Sequence, residues 1–369
     1  MKLMKTTEAV GQVLCHDITQ IIPGVKKDAV FRKGHIITKE DIPVLLSVGK
    51  DTIYIWENDE TMMHENEAAQ VLYSMCVCGT NSNETDTKRH CDAVESGDSD
   101  SSVSKMHPSS VKEGKIEVIA DCDGLLKVDS EKLKKVNSFG EMMIATRHGN
   151  TTVKKGDKLA GTRIIPLVIK KDKLEAASHI CDGGPILDIK PFVVRKAAII
   201  TTGNEVYHGR IQDAFTPVIE KKIAEFGAQM MFHEVFDDDD KKITDGCLRA
   251  IEAGAEIVFC TGGMSVDPDD KTPLAIKNTG ARIVSYGSPV LPGAMFLLSY
   301  YDAGDRLVPI CGLPGCAMYN KRTIFDIVLP RLMARDMILA DELAGLGEGG
   351  LCLNCDVCTF PNCGFGKGF

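Results

Sequence analysis

Residues 259–270 read FCTGGMSVDPDD, a strand-like apolar end, two glycines, a serine and then three acids in four positions. Such a junction has two readings. One is a solvated turn that caps the following helix. The other is a site where backbone amides meet a phosphate while a carboxylate holds a divalent cation. The neighbouring sequence bears on the choice, because two more strand-like runs end in the same manner. Thr201 to Val206 reads TTGNEV after KAAII, and Ile310 to Ala317 reads ICGLPGCA. Glycine at one strand end is commonplace, since the following turn draws on its φ freedom. Three such ends on one edge of one sheet indicate a shared ligand.

That sheet is predicted from the rhythm of the chain after residue 195. Apolar strand runs (KAAIIT, AQMMFHEVF, AEIVFCTGG, ARIVSY, AMFLLSYY and RLVPIC) are interleaved with helical spacing. Ile219, Ile223 and Phe226 share one helical face after Thr216-Pro217, read as an N-cap and first-turn pair. Ile243, Cys247, Ala250 and Ile251 share another, KTPLAIKNTG gives a third helix and Cys316 to Arg331 a closing one. Strands alternating with helices predict an α/β fold, a three-layer αβα domain with a mostly parallel sheet. Ligands then sit beyond the carboxyl ends of the strands.

Elsewhere the chain predicts a mainly β N-terminal domain from residues 1–57 and 115–194. It is interrupted at 76–114 by a Ser-, Asp- and Asn-rich stretch too poor in apolar residues to offset its ordering entropy, hence a flexible, disordered insertion. The α/β domain covers 195–340, and 341–369 is a cysteine-rich tail behind a glycine linker, GLGEGG. At 369 residues, 44% hydrophobic and 26% charged, this is the composition of an ordinary globular chain of two or more domains. A net charge of −9 argues against nucleic acid as a partner. No signal-like or membrane-spanning run is visible, so a cytoplasmic location with reduced thiols is expected.

The residues at the three strand ends also carry a resemblance. TTGNE, GRIQDAFTP around Asp213, TGGMSVDPDDKTP, PVLPGAM and GLPGCAMYN resemble, in order, the domain shared by molybdopterin adenylyltransferase and molybdopterin molybdotransferase. The opening segments EAVGQVLCHDI and FRKGHIITKEDIPVLLSVGKDTIYIWE resemble the molybdotransferase, which implies that branch. The implied reaction takes adenylylated molybdopterin and molybdate and releases AMP with Mg²⁺. It makes the chain a transferase of molybdenum cofactor biosynthesis, with a pterin and nucleotide ligand. The same resemblance implies a dimeric or trimeric homo-oligomer and a molybdoenzyme recipient.

Carried over residue by residue, the resemblance implies catalytic roles for Asp270, Asp213 and Glu205, with Asp270 and Glu205 on Mg²⁺. It implies ligand contacts at Thr202, Gly203, Asn204, Gly262, Gly263, Met264, Ser265, Lys271, Pro292, Gly293, Pro314 and Gly315. Glycine is usual in the family where Asp267 stands, and asparagine where Cys316 stands. Lys271, Lys321, Arg322, Arg147 and His148 are the cations to weigh for molybdate. Two other activities stay open: an adenylyltransferase or pyrophosphate hydrolase on this domain, and a non-catalytic carrier of the cofactor.

Fourteen cysteines complete the picture. Cys247 and Cys260 sit among apolar neighbours and read as core, while Cys76, Cys78 and Cys91 are either metal ligands or unpaired thiols. Cys352, Cys355, Cys358 and Cys363, at intervals of two, two and four residues, resemble a ferredoxin run. An iron–sulfur cluster, zinc and an unmetallated tail are the three readings.

Overall fold

The computed structural model describes residues 2–22, 26–55, 59–78, 104–265, 267 and 270–368. They divide into two units: 1–121 with 128–147 and 156–188, and 122–127 with 148–155 and 189 onward.

The first unit carries a four-stranded antiparallel sheet in the order Met106–Pro108, Lys115–Ala120, Lys158–Ile164, Met142–Thr146. Three antiparallel strand pairs accompany it: Lys2–Lys5 with Thr52–Ile55, Ile18–Ile22 with Lys26–Phe31, and Met62–His64 with Val168–Lys170. A 13-residue helix, Glu65–Val77, buries Ala68, Ala69, Leu72, Met75 and Cys76. Two boundaries of the sequence reading are corrected here. Cys76 belongs to this helix rather than to an insertion, its thiol buried and its pKa pushed up by desolvation, which removes it as a metal ligand. Met106, also assigned to the insertion, is a buried strand residue. Residues 79–103, Cys91 among them, lie outside the described residues.

The second unit holds the α/β domain. Its elements are β1 (Lys196–Thr202), α1 (Asn204–Tyr207), α2 (Phe215–Ala224), β2 (Gln229–Phe236), α3 (Asp240–Glu252), β3 (Ile257–Thr261), α4 (Thr272–Asn278), β4 (Arg282–Tyr286), β5 (Leu297–Asp302), β6 (Leu307–Leu313), α5 (Ile324–Met333) and α6 (Ala340–Gly345). One six-stranded sheet runs β2-β1-β3-β6-β5-β4. The pairs among β2, β1, β3 and β6 are parallel, and β5 alone opposes its neighbours.

Strand side chains alternate between faces, and both faces of this sheet are covered. On one side Ile199, Ile257, Phe259, Cys311 and Leu313 pack with Ile219 and Ile223 of α2 and with Phe325, Val328, Leu329 and Leu332 of α5. On the other, Ala198, Ile200, Val258, Cys260 and Ile310 pack with Ile243, Cys247, Ala250 and Ile251 of α3 and Ala275 and Ile276 of α4. The result is the three-layer αβα arrangement. Cys247 and Cys260 are core residues, their sulfurs 3.6 Å apart.

Three local expectations are revised. Asp213, not Thr216, supplies the side chain that caps α2, its Oδ1 accepting from the N–H groups of Phe215 (2.8 Å) and Thr216 (3.1 Å). The closing helix starts at Ile324, where Thr323 and Asp326 form a capping box, and Gly315–Met318 is a separate 3₁₀ turn. GLGEGG is not a free linker. The Gly366 N–H bonds the Gly349 carbonyl at 3.0 Å, and a Cβ on Gly350 would lie 2.4 Å from the Pro289 carbonyl oxygen.

Candidate functional site

Strands β1, β3 and β6 are adjacent and parallel, and Thr201, Thr261 and Leu313 stand level across them. Their following loops therefore leave from one rim. Because Leu297 at the start of β5 pairs with Gly312, the 287–296 segment between β4 and β5 reaches the same rim. TTGNE, TGGMS, PVLPGAM and GLPGC are brought together by topology alone.

The first two loops are locked to each other. Thr202 Oγ1 donates to the Thr261 carbonyl at 3.1 Å and lies 3.1 Å from Thr272 Oγ1, which donates to the Gly262 carbonyl at 2.9 Å. The Thr272 N–H meets the Gly263 carbonyl at 3.2 Å. This close approach needs glycine. Gly262 has φ +82°, and a Cβ there would sit 2.1 Å from the Thr202 carbonyl oxygen. Gly203 (φ +132°) and Gly263 (φ +54°) also take positive φ, and a Cβ on Gly263 would lie 2.7 Å from Thr272 Oγ1. Asn204 is exposed, its N–H 3.2 Å from Asp238 Oδ2.

Asp213 is saturated. Beyond its two backbone donors, its Oδ2 accepts from Thr216 Oγ1 at 2.6 Å and Thr201 Oγ1 at 3.0 Å, with His233 Nε2 at 3.6 Å. Burial alone would raise its pKa, but these bonds from Thr216, Thr201 and Phe215 outweigh it and hold the carboxyl below its usual range. It positions the start of α2 against the end of β1.

Asp270 closes a turn on Asp267: its N–H donates to the Asp267 carbonyl at 2.9 Å, and its Oδ2 accepts from the Asp267 N–H at 3.1 Å. It does not cap α4, whose N-cap position is Lys271 with no side-chain bond. The capping reading is thus corrected for Asp270, whose carboxylate turns back to the Asp267 N–H. Tyr286 stands within its field: burial, and then the charge of Asp270, push the phenol pKa up, and the hydroxyl donates to the Met264 carbonyl at 3.3 Å. Glu205 and Ser265 are exposed. The Met264 side chain is buried against Gly312, where a Cβ would be 2.5 Å from its sulfur, so Met264 offers the loop its backbone.

In the third loop the Ile324 N–H donates to the Pro292 carbonyl at 3.1 Å, and buried Gly293 (φ +134°) leaves no room for a Cβ, which would meet Ile324 Cγ2 at 2.4 Å. Pro314 is buried, whereas Gly315 is exposed with no atom within 4 Å of a Cβ. Among the described residues no three His, Cys, Asp or Glu converge on one ion.

Of the cations weighed for molybdate, Arg322 pairs with Asp326 at 2.8 Å and Lys321 reaches the Asp356 carbonyl at 3.3 Å. Arg147 pairs with Asp157 at 2.7 Å within the first unit, and His148 Nδ1 lies 3.2 Å from the Gly149 carbonyl oxygen. Lys271 stands directly before α4, at the end of the loop that leaves β3. Thr201, His233, Thr272 and Tyr286 were not assigned to the site from sequence, and Thr216 was read there only as an N-cap. A helical Thr-Pro start was the signal available for Thr272, and strand alternation alone gave none for His233.

The tail packs on the domain. Phe365 is buried in the core that holds α5, with Phe360, Cys352 and Cys363 partly buried beside it. The Leu291 N–H donates to the Gly350 carbonyl and the Cys352 N–H to the Leu291 carbonyl, both at 2.8 Å, which ties the tail to the PVLPGAM loop. All four tail cysteines are free thiols, Cys355 and Cys358 exposed.

Residues 198–334 match the family described as "Probable molybdopterin binding domain", and residues 3–57 match a "Domain of unknown function (DUF8806)". Among curated proteins, the chain resembles ones bearing the competence-damage inducible name. That of Bacillus velezensis is 29% identical over 90 residues, 24% of this chain and 21% of that protein. That of Clostridium kluyveri is 26% identical over 156 residues, 37% of each chain. The chain thus spans well under half the length of these relatives. Among solved structures, the tungsten cofactor synthesizing protein MoaB of Pyrococcus furiosus is 18% identical with a TM-score of 0.30, covering 38% of this chain and 89% of that one. The molybdopterin biosynthesis Mog protein of Mycobacterium ulcerans is 17% identical with a TM-score of 0.30, covering 41% and 99%. No helix among the described residues is long and apolar enough to cross a membrane. The likeness to the family described as a probable molybdopterin binding domain thus rests on residues 198–334, a little over a third of the chain.

Proposed function

We propose that the rim binds a phosphorylated pterin, molybdopterin in its adenylylated form, and that molybdate insertion there releases AMP. The observation that carries this reading is the interlock of Thr202, Gly262, Gly263 and Thr272, which fixes two glycine turns at one rim with backbone close enough to meet a phosphate. Preorganised N–H groups favour charge that develops on the phosphoryl oxygens and need no rearrangement as it forms. Asp270 and Glu205 would hold Mg²⁺, which would neutralise pyrophosphate charge when bound. Asp213, with both oxygens engaged, acts by position: it keeps α2 and the end of β1 in register so that Glu205 and Asn204 face the ligand. Lys271 in the second loop is the cation placed to draw in molybdate. A homo-oligomer and a molybdoenzyme that receives the cofactor are part of this proposal.

The test is chromatography of adenylylated molybdopterin incubated with protein, Mg²⁺ and molybdate. The wild-type chain releases AMP only with molybdate, and Asp270→Ala loses at least about 100-fold, the scale of one well-placed electrostatic group. Equal AMP yields from the two proteins would remove Asp270 from the chemistry. The second reading is pyrophosphate hydrolysis on the same domain. AMP release without molybdate would select it. Tight pterin binding with the ligand unaltered would select a carrier.

A further inference from the structure

The four tail cysteines are not scattered over the surface. Cys352, Cys355, Cys358 and Cys363 all line a single cavity of about 230 Å³. Its apolar wall is Leu351, Phe360 and Phe365, and its other wall carries Lys321 and Arg322. The backbone around it is pinned at both ends. Leu351 bridges to Leu291, the Gly366 N–H bonds Gly349, and the Asn362 N–H bonds the Thr359 carbonyl at 2.8 Å. The Arg322 guanidinium lies 5.0 Å from the centre of the Phe360 ring, so the cation is anchored beside the thiols rather than free in solvent.

We propose that these four cysteines ligate one [4Fe–4S] cluster in this cavity. Three observations point to that occupant. All four thiols line one cavity. A cluster carries its irons apart and takes its thiolates at wider spacing, each on a different iron. The intervals of two, two and four residues bring three closely spaced thiols and a fourth, Cys363, to the lining of that cavity. Finally, a cluster with four thiolates is an anion overall, and Lys321 and Arg322 supply the opposing charge on one wall. The Cys352 N–H is bonded to the carbonyl of Leu291, the residue before Pro292-Gly293.

The full chain, purified without oxygen from iron-supplied cells or reconstituted with ferrous iron and sulfide, is assayed for iron, inorganic sulfide and zinc. Electron paramagnetic resonance follows after reduction with dithionite. The expected load is about four irons and about four sulfides per chain. The Cys355→Ser and Cys358→Ser pair loses most of that iron, while Cys122→Ser, outside the cavity, keeps it. Single Cys355→Ser, at an exposed position, lowers the iron content with an unchanged far-ultraviolet circular dichroism spectrum, which separates lost ligation from lost fold. One zinc per chain without sulfide overturns the proposal. So does failure to take up iron under either condition, or an iron content indifferent to the paired substitution.

Discussion

Replacing Gly262 by alanine adds one methyl group, and the structure says where it goes. The new Cβ would stand 2.1 Å from the Thr202 carbonyl oxygen, and the residue would have to hold φ near +82°. The carbonyl cannot yield easily, since Thr202 pairs with Phe236 at the end of β1 and its hydroxyl is bonded to Thr261. Left-handed backbone costs an L-residue about 1–2 kcal/mol. An unrelieved methyl in a packed site adds about 1–3 kcal/mol. The sum, about 2–5 kcal/mol, corresponds to a fall of roughly 4–20 °C in the midpoint of a unit this size. If the loop moves away instead, the midpoint is spared and pterin affinity is lost. Gly315→Ala is the contrast: nothing lies within 4 Å of its Cβ, so its midpoint stays within about 0.5 kcal/mol of the parent. Calorimetry and pterin titration of both variants check this. A Gly262→Ala protein that melts and binds like the parent would refute the interlock as the basis of the site.

Other consequences follow from single contacts. Asp336 accepts from Lys127 (2.8 Å), Lys190 (2.5 Å) and Arg331 (2.6 Å). Burial raises its pKa, but these three cations overcome that and bring it down to about 2. A depressed carboxyl stabilises above its unfolded pKa, so about 2 kcal/mol is lost as pH falls from about 4 to about 2, and Asp336→Asn flattens that part of an acid-unfolding profile. Asp213→Ala, which removes the side chain that caps α2, costs about 0.5–2 kcal/mol in chemical denaturation. A cycle of Thr202→Val and Thr272→Val shows a coupling of about 0.5–1.5 kcal/mol, whereas additive losses would mean that the hydroxyl pair does not join the two loops.

Much of the architecture was legible because it lives in periodicity. The buried runs KAAIIT and IVFCT, and the helical faces of α2 and α3, each carry a local apolar period that burial then satisfies from both sides of the sheet. The rim was legible because parallel order places every such strand end together. What escaped the sequence depends on partners far away in the chain. The helix Glu65–Val77 shows apolar spacing at 68, 69, 72, 75 and 76, but the compositional change nearby masked its end at Cys76. Asp213 reads as an acid beside a pterin until its four donors are seen, two of them from Thr201 and Thr216 hydroxyls. GLGEGG reads as a hinge because glycine serves both for freedom and for close packing, and only the neighbouring carbonyls show which. The opening segment, which resembles a molybdotransferase, matches a domain family of unknown function.

The central claim is that one ligand lies across the ends of β1, β3 and β6. Its most direct test is a crystal structure of the chain soaked with adenylylated molybdopterin and Mg²⁺. The account predicts density over residues 202–205, 262–265 and 314–315, with pyrophosphate against the glycine amides and the cation beside Asp270. A pterin lodged away from that rim, with those loops free of contact, would contradict it.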